Sequence, residues 1–305
     1  MNRREFLKTV AVATGTVITG ATALLGCKRK ESVQTEDSFA FAFFADVHIR
    51  SGGRVERLRN CIRAINDSGG CDFAISGGDM IEDALGASYE TAKTYYDLFD
   101  STINDLKVPV HYTIGNHELF GVYEASGVSP DHPEYGKEMY RRRVGNGRTY
   151  YSFDHKGWHF IVLDSIQIKG RDFVGSIDQQ QLEWLRADLW DTGRKRPIIL
   201  AMHIPMVSSW VQLRHGITVA PSPQGFIVNN KDLYATLEHY NVRLVLAGHL
   251  HVLEDWTFLR TRYINAGAVS GGWGPNTLDG PGSSFGMVTI KGEDVAYEHI
   301  TLPIA

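Results

Sequence analysis

Residues 39–48 read Phe39-Ala40-Phe41-Ala42-Phe43-Phe44-Ala45-Asp46-Val47-His48: an apolar run that ends in a carboxylate and an imidazole. A short apolar run bounded by polar or turn residues predicts a strand buried on both faces. The same figure returns five times. Phe73–Ser76 runs into Asp79, and Val110–Ile114 into Asn116 and His117. Trp158–Leu163 runs into Asp164, Ile198–Met202 into His203, and Val242–Ala247 into His249 and His251. In open α/β sheets the ligand site lies just beyond the carboxyl ends of the strands. Donors spread over about two hundred positions are therefore expected to meet in one place.

Helical spacing fills the intervals. Val55, Leu58, Ile62 and Ile65 predict a helix that ends at Ser68-Gly69-Gly70. Others are predicted over 89–106, stopped before Val108-Pro109, over 178–190 and over 230–240. The third carries an apolar stripe of Leu182, Leu185 and Leu189, with Ser176 or Asp178 as its cap. Alternation of strand and helix favours the α/β class over all-β. Segments 118–148, 205–229 and 266–284 fit no regular element. Each follows a strand-end donor, so each is expected to form wall or lid over the site. Arg141-Arg142-Arg143 reads either as a solvated helix face or as an anion-binding patch.

Of 305 residues, 43% are hydrophobic and the net charge is -4, enough for a core and without the basic excess of a nucleic-acid surface. The start of the chain reads as an address. Arg3 and Arg4 precede Phe6-Leu7-Lys8, a mild Thr- and Gly-diluted apolar stretch follows, and Leu24-Leu25-Gly26-Cys27 closes it. This resembles a bacterial twin-arginine export signal joined to a lipoprotein cleavage box. It implies recognition by the twin-arginine machinery, a periplasmic or envelope location, and a lipid anchor at Cys27. Leu25 stands where such boxes more often carry a smaller residue. The division expected is a signal over 1–27, a polar tether over 28–38 and one catalytic domain over 39–305. Cys61 shares a helical face with Leu58, Ile62 and Ile65 and reads as a small buried hydrophobe, although an oxidising compartment would permit a Cys61–Cys71 bridge.

The donor set has a chemical preference. Asp46-x-His48 and His249-x-His251 each place two side chains on one face of an extended segment. Asp79 follows Gly77-Gly78, a tight turn that leaves its carboxylate room to touch two ions. Imidazole mixed with carboxylate or amide oxygen suits Mn, Fe or Zn and is too nitrogen-rich for calcium or magnesium alone. One such histidine by itself is more often a core or surface residue; the ordered set is what carries weight. His111, His132, His155, His159, His239 and His299 take the ordinary reading, with His215 a partial exception because it lies in an expected lid. Asp164 is read as structural.

Asp46-Val47-His48, Gly78-Asp79-Met80-Ile81-Glu82, Gly115-Asn116-His117-Glu118, His203 and Gly248-His249-Leu250-His251 resemble the ordered blocks of the calcineurin-like metallophosphoesterases. The resemblance implies a four-layer αββα sandwich, two mixed sheets flanked by helices. It implies two divalent or trivalent transition-metal ions (Mn, Fe or Zn). Asp46, His48, Asp79 and His251 would hold the first; Asp79, Asn116, His203 and His249 the second. The implied reaction is hydrolysis of a small phosphomonoester or phosphodiester by a hydroxide held between the ions. His117 would serve the leaving oxygen, and Glu82 would hold the tautomer of His117, with Glu118 a rival for that role. Glu82 also stands where a purple acid phosphatase would carry its tyrosine ligand. The chain is similar instead to bacterial cyclic-nucleotide and glycerophosphodiester phosphodiesterases. No stable nucleic-acid partner is expected. The rival class is a non-catalytic surface lipoprotein that binds metal or an anionic ligand on the same scaffold.

Overall fold

The computed structural model describes residues 38–272 and 282–303. Arg3, Arg4, Cys27 and the 28–37 part of the tether lie outside the described residues. Among those described, no helix is long and apolar enough to cross a membrane.

Each of the six apolar runs is a strand. They are β1 (Phe39–Phe44), β2 (Phe73–Ser76), β3 (Val110–Tyr112), β5 (Trp158–Val162), β8 (Ile198–Ala201) and β9 (Val242–Ala247). Strand β4 (Tyr151–His155), the pair β6 (Ile166–Lys169) and β7 (Asp172–Gly175), β10 (Glu254–Phe258), β11 (Thr261–Asn265), β12 (Ser284–Lys291) and β13 (Asp294–Thr301) complete the set. One sheet runs β13-β12-β1-β2-β3 and the other β10-β11-β9-β8-β5-β4. Both are mixed: β1-β2-β3 and β5-β8-β9-β11 are parallel, with antiparallel strands at the flanks.

The alternation of β1 explains how the layers stack. Phe39, Phe41 and Phe43 point into an inner core with Phe73, Trp158, Phe160, Ile199, Leu244 and Val288, drawn from both sheets. Phe41 and Phe73 each meet Phe160 edge-on, with ring centroids 5.5 and 5.3 Å apart. Ala42 and Phe44 face the other way, onto a second apolar cluster. That cluster includes Leu58, Cys61, Ile62 and Ile65 of α1 (Gly53–Asp67) and Ala92, Tyr96 and Phe99 of α2 (Tyr89–Ile103). Leu182, Leu185 and Leu189 of α4 (Gln179–Thr192) and Leu233 and Leu237 of α6 (Asn230–Leu237) belong to it with Leu200 and Val245 of the second sheet. The chain is therefore an αββα sandwich. Asp178, not Ser176, caps α4, accepting the N–H of Gln181 at 2.7 Å.

Two irregular segments hold short helices: α3 (Glu138–Arg143) and α5 (Trp210–His215). The arginine run is a paired helix end. Arg141 meets Glu138, Arg142 meets Glu134 at 3.5 Å, and Arg143 meets Asp97 at 2.6 Å. Cys61 and Cys71 are free thiols; Cys61 is buried, and Cys71 Sγ lies 3.0 Å from the carbonyl of Phe73.

Candidate metal centre

All seven strand-end donors come together at one edge of the sandwich. Asp46 lies just past β1, Asp79 past β2, Asn116 past β3, His203 past β8, and His249 and His251 past β9. Main-chain bonds tie the loops side by side: Asp46 N–H to Gly78 O (3.0 Å), His48 N–H to Asp79 O (2.9 Å), and Gly248 N–H to His203 O (3.0 Å). Asp46, His48, Asp79, His249 and His251 all have positive φ, between 45° and 72°. A left-handed backbone costs a residue with a Cβ energy, and such strain gathers where surrounding structure enforces a functional geometry. Gly78 makes the packing possible, since a Cβ there would sit 2.7 Å from His203 Nδ1.

Three donor groups form, each with its atoms within 4.8 Å of one another: Asp46, His48 and His251; Asp79, His203 and His249; and His48, Asp79 and His117. Asp79 Oδ2 stands between the first two, 3.7 Å from His48 Nε2 and 3.1 Å from His203 Nε2. Asn116 Oδ1 is 3.1 Å from His203 Nε2. His251 Nε2 is 3.3 Å from Asp46 Oδ1 and 3.1 Å from His48 Nε2.

The tautomers are fixed from behind. His203 Nδ1–H donates to Gly77 O at 2.8 Å and His251 Nδ1–H to Gly271 O at 2.9 Å, so both direct Nε2 inward. Oxygen and nitrogen donors turned inward, with ring nitrogens 3.1–3.2 Å apart in two imidazole pairs, fit cations held between them. The charges agree. Burial opposes ionisation of Asp79, yet His203 and His117 hold it well below the usual carboxylate range. Burial alone would lower His203, but Asp79 and Asp46 carry it up to about 9. Burial, aided by neighbouring imidazoles, pushes His48 down to about 3 and His249 down to about 4.

His117 takes its main-chain hold from Asp79, whose Oδ1 accepts its N–H at 2.9 Å. Glu82 meets His117 through its main chain and not through its carboxylate. His117 Nδ1 lies 2.6 Å from the main-chain carbonyl of Glu82, not from its side chain. Glu82 N–H bonds Ile49 O, which sets Glu82 beside the segment after β1. There its carboxylate is drawn to Arg50 (3.2 Å) and Arg54 (3.1 Å). Glu118 does not orient His117 either. It is fully buried beneath the loops and accepts four main-chain N–H groups, from Asp79, Met80, Ile81 and Gly115, at 2.7–3.2 Å. Burial and Asp79 push it up to about 7 against those donors. A carboxylate directly before Leu119-Phe120 was the sequence signal for such a buried role.

A cleft of about 180 Å³ opens over this edge, walled by His48, Arg54, Glu82, His117, His251 and Ser270–Gly272. Of the three irregular segments only 266–284 lines it among the described residues; 205–229 borders a separate cleft of about 370 Å³. His215 is exposed against Trp210, away from the donors. His111 stacks on Phe153, His155 pairs with Asp72, and His159 bridges Asp154 and Asp188. Asp164 is structural, accepting Lys137 Nζ at 2.6 Å.

A two-sheet sandwich with donors at the shared strand ends defines a metallophosphoesterase fold. The chain belongs to the calcineurin-like phosphoesterases: the sequence model of that family matches residues 39–253. It is 31% identical over 180 residues to a probable cyclic nucleotide phosphodiesterase of Synechococcus sp., covering 59% of this chain and 58% of that protein. It is 27% identical over 170 residues to purple acid phosphatase 23 of Arabidopsis thaliana, covering 54% and 33% respectively. The match therefore spans less than two thirds of the Synechococcus protein and one third of the Arabidopsis one. A crystal structure of a dimetal phosphatase from Danio rerio superposes with a TM-score of 0.60 at 16% identity, over 88% of this chain and 100% of that one. That likeness shows the fold.

Proposed function

We propose that this chain hydrolyses phosphoric esters with two transition-metal ions, Mn, Fe or Zn, held by the seven donors. The observation that carries the reading is Asp79 Oδ2, which faces His48, His203 and His117 at once. When bound, the ions supply Lewis acidity and charge neutralisation at the phosphoryl oxygens. The chain's own part follows from its geometry. Asp46, His48 and His251 would hold one ion and Asn116, His203 and His249 the other, with Asp79 placed to serve both. His117 keeps its Nδ1–H on the Glu82 carbonyl and turns Nε2 to the cleft, 3.9 Å from Asp79 Oδ2. From there Nε2–H gives its proton to the leaving oxygen. The named relatives support both a cyclic-nucleotide diester and a monoester as substrate class. The cleft, walled by His48, Arg54, Glu82, His117 and His251, offers imidazole and guanidinium groups to a phosphate.

Bis(p-nitrophenyl) phosphate, tested with Mn or Zn, is hydrolysed, and chelation abolishes the activity. His117→Ala lowers kcat by about 10²–10⁴-fold while two ions per chain remain. Full activity in that variant overturns the assignment of His117.

Export through the twin-arginine route and lipidation at Cys27 complete the proposal, supported by Arg3, Arg4 and the Leu24–Cys27 box. Such substrates cross folded, so the ions would be loaded before crossing and reflect the cytoplasmic pool. Lipid labelling that is lost in Cys27→Ser supports the anchor; labelling unchanged in that variant refutes it.

A further inference from the structure

The cleft has a basic annex that the hydrolytic reading leaves unused. A second hollow of about 300 Å³ is lined by Arg50, Ser51, Gly53, Arg54 and Arg57. Arg54 lines both hollows, so the annex adjoins the wall of the metal centre. Each guanidinium is tied to that wall. Arg54 Nη1 lies 3.4 Å from the carbonyl of His48 and 3.1 Å from Glu82 Oε2. Arg50 Nη1 lies 3.2 Å from Glu82 Oε1. Arg57 donates to the carbonyl of Ser270, in the loop that carries the His251 acceptor Gly271. Arg54 and Arg57 are partly buried while Arg50 reaches solvent. Three guanidiniums therefore line a surface on which Glu82 is the one carboxylate among the described lining residues of the two hollows. Three positive charges less one negative leaves an excess of two.

A single phosphate held by the metal ions does not need this excess. Guanidinium forks match phosphate oxygens in shape and charge. We propose that Arg50, Arg54 and Arg57 form a subsite for a second phosphate group, so that the substrates favoured are phosphate esters carrying another phosphate near the scissile one. This rests on the hydrolytic reading of the metal centre and narrows its substrate class. The metal centre takes the scissile group; the annex selects and orients the rest of the molecule. Glu82 acts as the counter-charge that keeps Arg50 and Arg54 in place until the anion arrives.

The test pairs two measurements on the metal-loaded protein. The first is the ratio of kcat/KM for a nucleoside 3′,5′-bisphosphate to that for the matching monophosphate. The wild type favours the bisphosphate, mostly through KM. In Arg50→Gln with Arg57→Gln the ratio falls about 10- to 100-fold, the size of one or two charge-assisted hydrogen bonds. Arg59→Gln removes a charge on the same helix paired with Glu56 outside the annex, and keeps the wild-type ratio. The second is calorimetric binding of methylenediphosphonate against orthophosphate, which needs no turnover. The diphosphonate binds at least 10-fold tighter, and the double substitution removes that margin. Arg50→Gln alone, at an exposed position, gives a partial loss should the double variant fold poorly. Equal binding of the two ligands by the wild type overturns the subsite. A diphosphonate margin that survives the double substitution belongs to the metal ions and overturns the subsite; a margin that the double substitution removes, without hydrolysis of any ester, overturns the hydrolytic reading and leaves the subsite standing.

Discussion

At Glu118 one carboxylate holds two segments of main chain together, 79–81 and the turn at Gly115. Its two oxygens accept four N–H groups around the turn that presents Asp79. Glutamine offers one carbonyl oxygen, and its NH₂ would face two of those donors. Glu118→Gln should therefore cost about 2–4 kcal/mol of stability. Urea unfolding checks this, and a loss below about 0.5 kcal/mol would refute the role. Gly115→Ala attacks the same turn, because a Cβ would clash with the main-chain nitrogen and carboxylate of Asp79. Metal content in that variant should fall even where the fold survives. The donor residues were legible because each follows an apolar run. Their left-handed backbone was not: it comes from loops of both sheets bonding to one another, a long-range event that local propensity does not encode. At Glu82 the resemblance named the residue that meets His117 but not the atom: Arg50 and Arg54 hold its carboxylate, and its main-chain carbonyl reaches the imidazole.

At the level of elements, the six strands of the apolar runs declared themselves, while the other seven described strands and the short helices did not. A six-residue helix such as α3 has too few turns to display a period, and its stability comes from packing Met139 and Tyr140 into the core. The phenylalanines of β1 announced burial on both faces, yet not which face meets the second sheet; that follows from Trp158 and Phe160 across the interface. One link between elements carries a pH signature. His159 on β5 joins Asp154 on β4 to Asp188 on α4, at 2.7 and 2.8 Å. Burial works against the charged imidazole, but the two carboxylates raise it above its ordinary value. A folded-state value above the unfolded value of about 6.5 means the contribution is complete below that pH and is lost as pH rises through the folded value. The stability advantage of wild type over His159→Gln should thus be largest near pH 5–6 and shrink on the alkaline side. A constant or growing difference in urea midpoint between pH 6 and 9 would contradict this.

Across the whole molecule, the candidate centre joins two sheets. Asp46, His48, Asp79 and Asn116 follow strands of one; His203, His249 and His251 follow strands of the other. Ions bound between them would favour the closed sandwich, since whatever binds only the folded state stabilises it. Removing metal should lower the thermal midpoint by on the order of 10 °C, given about 4 kcal/mol at ligand far above its Kd and 2–4 °C per kcal/mol in a domain of this size. An unchanged midpoint would mean that the sheets hold without the ions.

The most direct measurement is the number of transition-metal ions per chain, by mass spectrometry, in wild type, Asp79→Asn and His249→Ala. Two ions in wild type, about one in His249→Ala and a loss at both positions in Asp79→Asn is the outcome a shared carboxylate requires. A wild type that binds none from Mn, Fe or Zn, or an Asp79→Asn protein that retains both, would contradict it.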